Sequence, residues 1–141
     1  MSDAIYTAEA LSTGGGRSGH VRSSEGLIDL ELAPPKAMGG SGAGANPELL
    51  FAAGYAACFH SALQGVARRE KADLGESSVG ARVAIGPNGA GGYGLTVHLE
   101  VVVPDLPHDE ARRLADEAHL VCPYSNATRG NIEVTVDVVD D

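Results

Sequence analysis

An apolar run from Pro47 to Val66 constrains the fold more than any other feature of this sequence. Asn46, Pro47 and Glu48 carry the signals of a helix start, because Asn is a favoured N-cap, Pro fits the first helical turn and Glu stabilises the positive end of the helix dipole. These signals predict a helix over 47–69. Its apolar side chains go most of the way round the helix, so we expect most of its faces to be buried and the helix to be central.

Short strands are predicted on both sides of this helix. The residues before it favour a strand at 4–11 and two more within 19–35, separated by a turn at Glu25 and Gly26. After the helix, residues 77–105 have the pattern of two strands joined by a glycine-rich turn. The chain is therefore expected to be rich in β-strands.

The last third of the sequence predicts one more helix and one more strand. Pro107 opens the helix, apolar residues recur in it at three- and four-residue spacing, and Pro123 closes it, which places Cys122 at its C-terminal end. In 130–141, apolar and polar residues alternate with the two-residue period of a half-exposed strand. Strands and helices are thus segregated along the chain, which predicts the α+β class.

Size and charge limit the functions that this chain can have. Its 141 residues fit one domain and no long linker divides them, so we expect a single domain over 1–141. The formal net charge of −9 repels nucleic-acid phosphates and anionic lipid headgroups, which argues against nucleic acid and membrane as partners. The N-terminal residues lack the pattern of a signal peptide, and Gly, His and Gln interrupt the apolar run. We therefore expect a cytoplasmic protein.

A glycine-rich segment before the first helix, residues 39–45, resembles a nucleotide-binding loop. Gly40, Gly42 and Ala45 fit a relaxed dinucleotide-binding pattern. A Rossmann turn follows a buried strand, however, whereas Ala-Pro-Pro-Lys-Ala-Met stands here, and a P-loop needs Lys and Ser or Thr after its last glycine. We interpret the segment as a flexible connection.

Cys58 and Cys122 are the two cysteines of the chain, and in a reducing cytoplasm they are not expected to form a permanent disulfide. Three interpretations are open: inert core thiols, metal ligands or a redox pair. A zinc site would combine Cys58 with His60 and Cys122 with His119. On a helix, positions i and i+2 point to nearly opposite sides, so Cys58 and His60 do not converge, although His119 and Cys122 share a face. We therefore expect no metal, and a packed or hydrogen-bonded His60.

If Cys58 is reactive, something other than its own helix must stabilise its thiolate. Cys58 lies about 11 residues into the helix, far beyond the first turn in which the dipole lowers the pKa of a thiol. Arg17, which stands among glycines in Gly-Gly-Gly-Arg-Ser-Gly-His, is the candidate cation, and Glu48 is the candidate to anchor it. From the residues alone, both a core thiol and a reactive thiol remain open for Cys58.

Three segments of the sequence are similar to those of a known family. Residues 14–23 read GGGRSGHVRS, 46–63 read NPELLFAAGYAACFHSAL and 121–134 read VCPYSNATRGNIEV, of which the last is the most specific. Over nearly its whole length the sequence resembles the organic hydroperoxide resistance proteins (Ohr), a branch of the Ohr/OsmC family.

The resemblance implies a cysteine-based peroxidase without metal, haem or another bound cofactor. Cys58 matches the peroxidatic cysteine, Cys122 the resolving cysteine that forms a disulfide with it, Arg17 the activating arginine and Glu48 its carboxylate partner. It also implies an intertwined homodimer with antiparallel sheets packed around central helices. Organic hydroperoxides, including those of fatty acids, are the implied substrates, and a lipoylated protein with a dihydrolipoyl dithiol is the implied reductant. A zinc protein and a ligand-binding or structural dimer are the competing functions.

Overall fold

The structure is a computed structural model and describes residues 3–140. Six strands and three α-helices follow one another as β1 Ala10–Thr13, β2 His20–Ser23, β3 Asp29–Glu31, α1 Pro47–Arg69, β4 Ser78–Pro87, β5 Tyr93–Val102, α2 His108–Val121, α3 Pro123–Thr128 and β6 Val134–Val138. The residues form two compact units, one up to Leu50 and one from Phe51 onward. The α+β class predicted from the sequence is confirmed, while a single domain over 1–141 stays a prediction.

Helix α1 begins and ends where the sequence predicts. The side chain of Asn46 accepts a hydrogen bond of 2.8 Å from the backbone N–H of Leu49, which is the contact of an N-cap. Pro47 then occupies the first helical position, where its missing N–H costs nothing. The helix runs without a break to Arg69.

The first unit contains an antiparallel sheet in the order β1-β2-β3. The turn between β2 and β3 lies where it was expected, since the N–H of Gly26 donates to the carbonyl of Ser23 and Gly26 has a φ of 80°. The first strand is shifted, however: it occupies Ala10–Thr13 rather than 4–11, because these are the residues that pair with β2. The pairing partner fixes this strand, and a partner cannot be read from local alternation.

The glycine-rich segment before α1 is tied down by backbone hydrogen bonds rather than being a plain connection. Leu32 and Ala45 form a parallel bridge, and the N–H of Ala45 donates to the carbonyl of Glu31. The N–H groups of Gly40 and Gly42 donate to the carbonyls of the two prolines that precede the segment. Several of its N–H groups therefore donate to carbonyls of the preceding residues and are not free to bind a phosphate, which fits the rejection of a nucleotide-binding loop.

The second unit contains a sheet in the order β4-β5-β6. β4 and β5 form the predicted hairpin, with Ser78 opposite Val102 and Pro87 opposite Tyr93. β6 pairs with β5 in parallel, so this sheet is mixed rather than purely antiparallel. The parallel pairing arises because α2 and α3 carry the chain back to the start of the sheet before β6 begins, as in a βαβ connection.

All apolar side chains that the structure buries within residues 3–140 belong to the second unit. They come from one face of α1, from β5 with the residue that follows it, from α2, and from two positions near helix ends: Tyr55, Phe59, Leu63, Val66, Ala67, Leu74, Val97, Leu99, Val101, Val103, Ala111, Leu114, Ala115, Ala118 and Cys122. This cluster is large enough to position the side chains of α1 and α2 that border it.

Only one face of α1 is buried in the single chain, which differs from the expectation that most of its faces are covered. Ala53, Ala57, Ser61 and Gln64 follow one another along the opposite face and are exposed. By length and composition alone α1 also meets the criterion for a membrane-spanning helix, a criterion that the core helices of soluble proteins meet as well.

Candidate functional site

The two cysteines, 64 positions apart in the sequence, lie side by side in the second unit. Cys58 is on α1 and is half-buried, whereas Cys122 is fully buried between α2 and α3. Both are free thiols, and their sulfur atoms are 3.6 Å apart. A disulfide requires about 2.05 Å between sulfurs, so the atoms are within about 1.5 Å of bond formation.

Cys122 owes its position to a sharp turn between two helices. α2 ends at Val121, Cys122 takes an extended conformation with φ −64° and ψ 125°, and Pro123 starts α3. The sequence predicted the end of α2 but not α3, because Pro123 is as suitable for the first position of a new helix as for stopping an old one. α3 runs from Pro123 to Thr128.

The surroundings of Cys58 act on its thiol in opposite directions. Burial is the largest influence and raises the pKa of the thiol, and the neighbouring Cys122 raises it as well. The backbone N–H of Tyr124, which faces the sulfur of Cys58, lowers the pKa in part, but the net direction is upward. No cation from residues 51–140 is among these influences. Within this unit Cys58 is therefore held mainly as a thiol.

Sequence reasoning missed the role of Tyr124, since a backbone N–H leaves no signal in residue type. The one indication is Gly54, which stands on α1 one turn before Cys58. A Cβ at Gly54 would lie 2.8 Å from the hydroxyl of Tyr124, so the glycine lets the tyrosine ring lie against the helix in its present position. The ring also stacks on Phe51, with 5.8 Å between ring centroids. The absence of a side chain on α1 thus places α3 next to Cys58.

Two grooves of the second unit border this arrangement. Cys58 opens into a groove of about 370 Å³ lined by Ser61, Ala62, Val121 and Pro123, among others. A second groove, of about 700 Å³, is lined mainly by apolar and aromatic side chains with a few amides, namely Phe51, Asn88, Tyr93, Gly94, Leu95, Tyr124, Ala127, Thr128, Asn131 and Ile132. Of the aromatic residues on α1, Phe51 lines this second groove, whereas Tyr55 and Phe59 are fully buried in the core.

Arg17 and Glu48, the predicted cation and its anchor, meet in the first unit. Both terminal nitrogens of Arg17 donate to the carboxylate of Glu48, at 2.7 and 2.8 Å. Such a forked pair orients the guanidinium plane as well as holding it. The hydrogen bond from Arg17 lowers the pKa of Glu48 despite its partial burial, so the carboxylate is charged near neutral pH.

The glycines around Arg17 are required by the backbone. Arg17 lies in a single 3-10 turn, Gly16–Ser18, where Gly16 has a φ of 68°. A Cβ at Gly19 would lie 2.1 Å from the carbonyl oxygen of Thr13, which no side chain tolerates. The turn therefore presents Arg17 from a tightly folded backbone.

The histidines next to the cysteines are engaged elsewhere. His60 lies 2.9 Å from the hydroxyl of Ser77 through its Nε2, as predicted for a hydrogen-bonded histidine. The Nδ1 of His119 lies 2.7 Å from the hydroxyl of Ser125, and burial lowers the pKa of His119, so it is neutral at physiological pH. In the described range 3–140, no group of three or more His, Cys, Asp and Glu side chains is placed to hold a metal ion.

Comparison with known proteins gives the same family at three levels. A family model described as OsmC-like protein matches residues 39–137. An organic hydroperoxide resistance protein of Xanthomonas axonopodis pv. citri is 51% identical over 134 residues, covering 94% of this chain and 93% of the relative. The relative OhrB of Bacillus subtilis, also named an organic hydroperoxide resistance protein, is 39% identical over 96% of this chain and 98% of its own length.

Solved structures agree with the sequence relatives. The crystal structure of an organic hydroperoxide resistance protein from Elizabethkingia anophelis has a TM-score of 0.93 and 49% identity, covering 99% of this chain and all of that one. A second crystal structure, of an organic hydroperoxide resistance protein from Legionella pneumophila, has a TM-score of 0.92 and 46% identity, covering 96% of this chain and 98% of that one. Sequence and backbone therefore match such proteins along the whole chain.

Proposed function

This chain belongs to the OsmC-like family, in its organic hydroperoxide resistance branch, and from that premise we propose that it is a thiol-dependent peroxidase that reduces organic hydroperoxides to alcohols. The names of its relatives support a role in resistance to organic peroxides. The observation that carries the proposal is the distance of 3.6 Å between two free cysteine sulfurs, one half-buried and one buried. The proposed substrates include fatty acid hydroperoxides.

In the first step, the thiolate of Cys58 attacks the terminal oxygen of ROOH. The O–O bond breaks, Cys58 becomes a sulfenic acid, and the leaving alkoxide takes up a proton to become the alcohol. Since the surroundings of Cys58 in residues 51–140 raise the pKa of its thiol, the thiolate needs a cation. We assign this role to Arg17, whose guanidinium Glu48 orients, and which also stabilises the charge that develops on the alkoxide.

In the second step, the thiol of Cys122 attacks the sulfur of the Cys58 sulfenic acid. A disulfide forms and water leaves, which protects Cys58 from oxidation to sulfinic and sulfonic acids. An external dihydrolipoyl dithiol, carried by a lipoylated protein, then reduces the disulfide by thiol–disulfide exchange and becomes a lipoyl disulfide. The cycle needs no metal and no bound cofactor, and we place it in the cytoplasm, where thiols are kept reduced.

The active form is proposed to be a homodimer in which each site takes residues from both chains. Glu48 and Cys58 are ten residues apart on a continuous helix, which is about 15 Å at 1.5 Å per residue and more than one guanidinium bridges. Arg17 and Glu48 of one chain therefore act on Cys58 of the partner subunit. The exposed face of α1, with Ala53 and Ala57, supports association because small side chains let another surface approach closely.

One experiment separates this function from its competitors. The purified, reduced protein is mixed with tert-butyl hydroperoxide or hydrogen peroxide, and thiol loss and turnover with a lipoyl dithiol are followed. We expect rapid loss of both thiols, turnover with the lipoyl dithiol and a preference for the organic peroxide. If both thiols stay titratable after stoichiometric peroxide, the protein is a binding or structural dimer with incidental cysteines. About one zinc ion per chain by metal analysis would indicate a zinc protein instead.

A further inference from the structure

A chain of buried hydroxyl groups joins α1 to α3 beside the cysteine pair. The hydroxyl of Tyr55 on α1 lies 2.8 Å from that of Ser125 and 3.3 Å from that of Thr128, both on α3. Ser125 is in turn 2.7 Å from Nδ1 of His119, near the end of α2. Tyr55 and Ser125 are fully buried and Thr128 is 6% exposed. Three helices therefore meet in one polar cluster inside an apolar core.

Residues of this cluster lie close to both cysteines in the sequence. Tyr55 precedes Cys58 by three residues on α1, and Ser125 follows Cys122 by three residues. Thr128 also donates to the backbone carbonyl of Tyr124 at 3.0 Å, and Tyr124 is the residue whose N–H faces the Cys58 sulfur. The contacts of the cluster thus span the short turn that carries both Cys122 and Tyr124.

The proposed reaction steps use none of these hydroxyls, and packing alone does not require them. Phe59, on the same face of α1, fills the core without a polar atom. A buried hydroxyl is tolerated only when it has partners, and its partners lose theirs when it is removed. The phenol of Tyr55 therefore has a role in holding Ser125 and Thr128 that phenylalanine cannot fill.

We propose that Tyr55 is a positioning residue for the resolving cysteine: its hydroxyl, through Ser125 and Thr128, fixes the turn between α2 and α3 so that Cys122 faces Cys58 at bonding range. The consequence for peroxide turnover rests on the function proposed above. The positioning itself does not, because any reaction in which Cys122 attacks a modified Cys58 depends on it.

The sulfurs must come about 1.5 Å closer to form a disulfide, and the attacking sulfur must line up with the bond that breaks. A turn held by hydrogen bonds to α1 keeps the sulfur of Cys122 close to that of Cys58. The extended backbone at Cys122 still allows the sulfur to move the remaining distance to bond formation. Without the Tyr55 hydroxyl, α3 is held to α1 mainly by apolar contacts, which are not directional, beside the contact of the Tyr124 N–H with the Cys58 sulfur. Closure should then become slower although both thiols are intact.

A nitrobenzoate disulfide reagent (DTNB) measures closure without peroxide. The reagent reaches the half-buried Cys58 and not the buried Cys122, so Cys58 takes up one nitrothiobenzoate and releases another. Cys122 then attacks the Cys58 sulfur, forms the intramolecular disulfide and releases the second nitrothiobenzoate. The two coloured releases give the rate of modification and the rate of closure in one stopped-flow trace.

Tyr55→Phe should slow the second release about fivefold, the rate equivalent of one neutral hydrogen bond, and leave the first within about twofold. Thr128→Val should act in the same direction but less, because its contact with Tyr55 is longer. Thr128→Ser keeps the hydroxyl and should keep the wild-type rate. Tyr6→Phe, at a tyrosine that is 72% exposed and lines neither of the two grooves, controls for the loss of a phenol elsewhere.

The proposal is overturned if the second release is unchanged in both Tyr55→Phe and Thr128→Val, even if these variants are less stable, since a merely structural role lowers stability without slowing closure. Should Tyr55→Phe fail to fold, the Thr128→Val and Thr128→Ser pair decides. A parallel reaction with tert-butyl hydroperoxide keeps the two proposals apart. Wild-type thiols that resist the peroxide would reject the peroxidase function and leave the DTNB comparison intact.

Discussion

The two units of the chain are stabilised by different forces. Residues 51–140 contain every apolar side chain that is buried in the described part of the chain, whereas among residues 3–50 only Asn46 is buried. The first unit relies on charge pairs instead, such as Arg17 with Glu48 and His20 with Asp29. The candidate site divides in the same way, since the guanidinium belongs to the charged unit and the thiols to the apolar one.

Within residues 3–50, the first unit therefore has no apolar core of its own. Several of its large apolar side chains are exposed, among them Ile5, Tyr6, Leu11 and Leu27. Ion pairs between exposed groups contribute little to stability, so they do not replace an apolar core. The experiments below test the division between the units.

The largest effect is expected in the apolar unit, at Cys58. Cys58→Ser should reduce peroxide consumption on the order of a thousandfold or more, because a hydroxyl is a far weaker nucleophile than a thiolate. Cys122→Ser is the matched variant and should consume about one equivalent at the wild-type rate, then stop at a sulfenic acid. Rapid-mixing kinetics with a sulfenic acid trap measure both. A fast first turnover in Cys58→Ser that is missing in Cys122→Ser would reverse the two roles.

Truncating an apolar side chain should lower the free energy of unfolding far more in the second unit than in the first. Phe59→Ala, in the core of the second unit, should lower the free energy of unfolding by about 3–5 kcal/mol because it leaves a cavity. Ile5→Ala, at a fully exposed side chain of the first unit, should change it by less than about 0.5 kcal/mol. Urea denaturation of both variants checks this. A large loss for Ile5→Ala would mean that another surface covers this residue in solution.

Removing the charge of the first unit should impair the chemistry of the second. Arg17→Ala should slow the attack on peroxide about a hundredfold, the effect of losing one preorganised charged donor. The thiol of Cys58 should then titrate above its ordinary range, as burial dictates. Thiolate absorbance against pH measures the pKa directly. Arg17→Lys should recover only part of the rate, because an ammonium lacks the forked geometry. An unchanged titration curve in Arg17→Ala would exclude this role.

Mixed dimers test whether the two halves of the site come from different chains. Glu48→Ala and Cys58→Ser chains are each expected to be impaired, but a heterodimer of the two has one site with all residues intact. An equal mixture, half of it heterodimer, should regain about a quarter of the wild-type rate. Native mass spectrometry verifies that subunits exchange. If exchange is complete and activity stays at the level of the parents, each site belongs to one chain.

The smallest effect is expected from His20 in the sheet of the first unit. Its two ring nitrogens lie 2.7 Å from Glu31 and 2.5 Å from Asp29, and these contacts, that to Glu31 first, raise the pKa of His20. A raised pKa means that the pairing stabilises fully below the ordinary pKa of histidine and is lost as the pH rises through the raised value. Hydrogen exchange of the β2 and β3 amides should therefore lose protection at high pH, beyond the intrinsic increase. His20→Gln should abolish that additional change.

Local signals in the sequence predicted what local interactions determine. The start of α1 followed from Asn46, Pro47 and Glu48, and the alternation of β6 from its apolar positions. The bounds of β1 and the parallel direction of β6 were not predictable in this way, because both depend on partners far away in the sequence. α3 was missed because Pro123 was interpreted only as the end of a helix.

The candidate site shows the same limit. Residue types and the family resemblance identified four candidate site residues, Cys58, Cys122, Arg17 and Glu48. Their roles remain predictions. The N–H of Tyr124 and the hydroxyl chain of Tyr55 were not foreseen, since a backbone donor and a buried hydroxyl have no characteristic pattern. The sequence did not predict the contacts that hold the two cysteines in position, because those contacts depend on how the helices pack.

The close approach of Tyr124 to Gly54 also has a consequence for how this sequence can change over time. With the ring of Tyr124 in its present position, a methyl group at position 54 would lie 2.8 Å from the tyrosine hydroxyl, so Gly54→Ala requires the end of that ring to shift. A smaller residue at 124 would open that space, so the harm of Gly54→Ala depends on what stands 70 positions away. The two positions are therefore epistatic. Gly54→Ala should therefore be tolerated better in a chain with a smaller residue at position 124 than in this one.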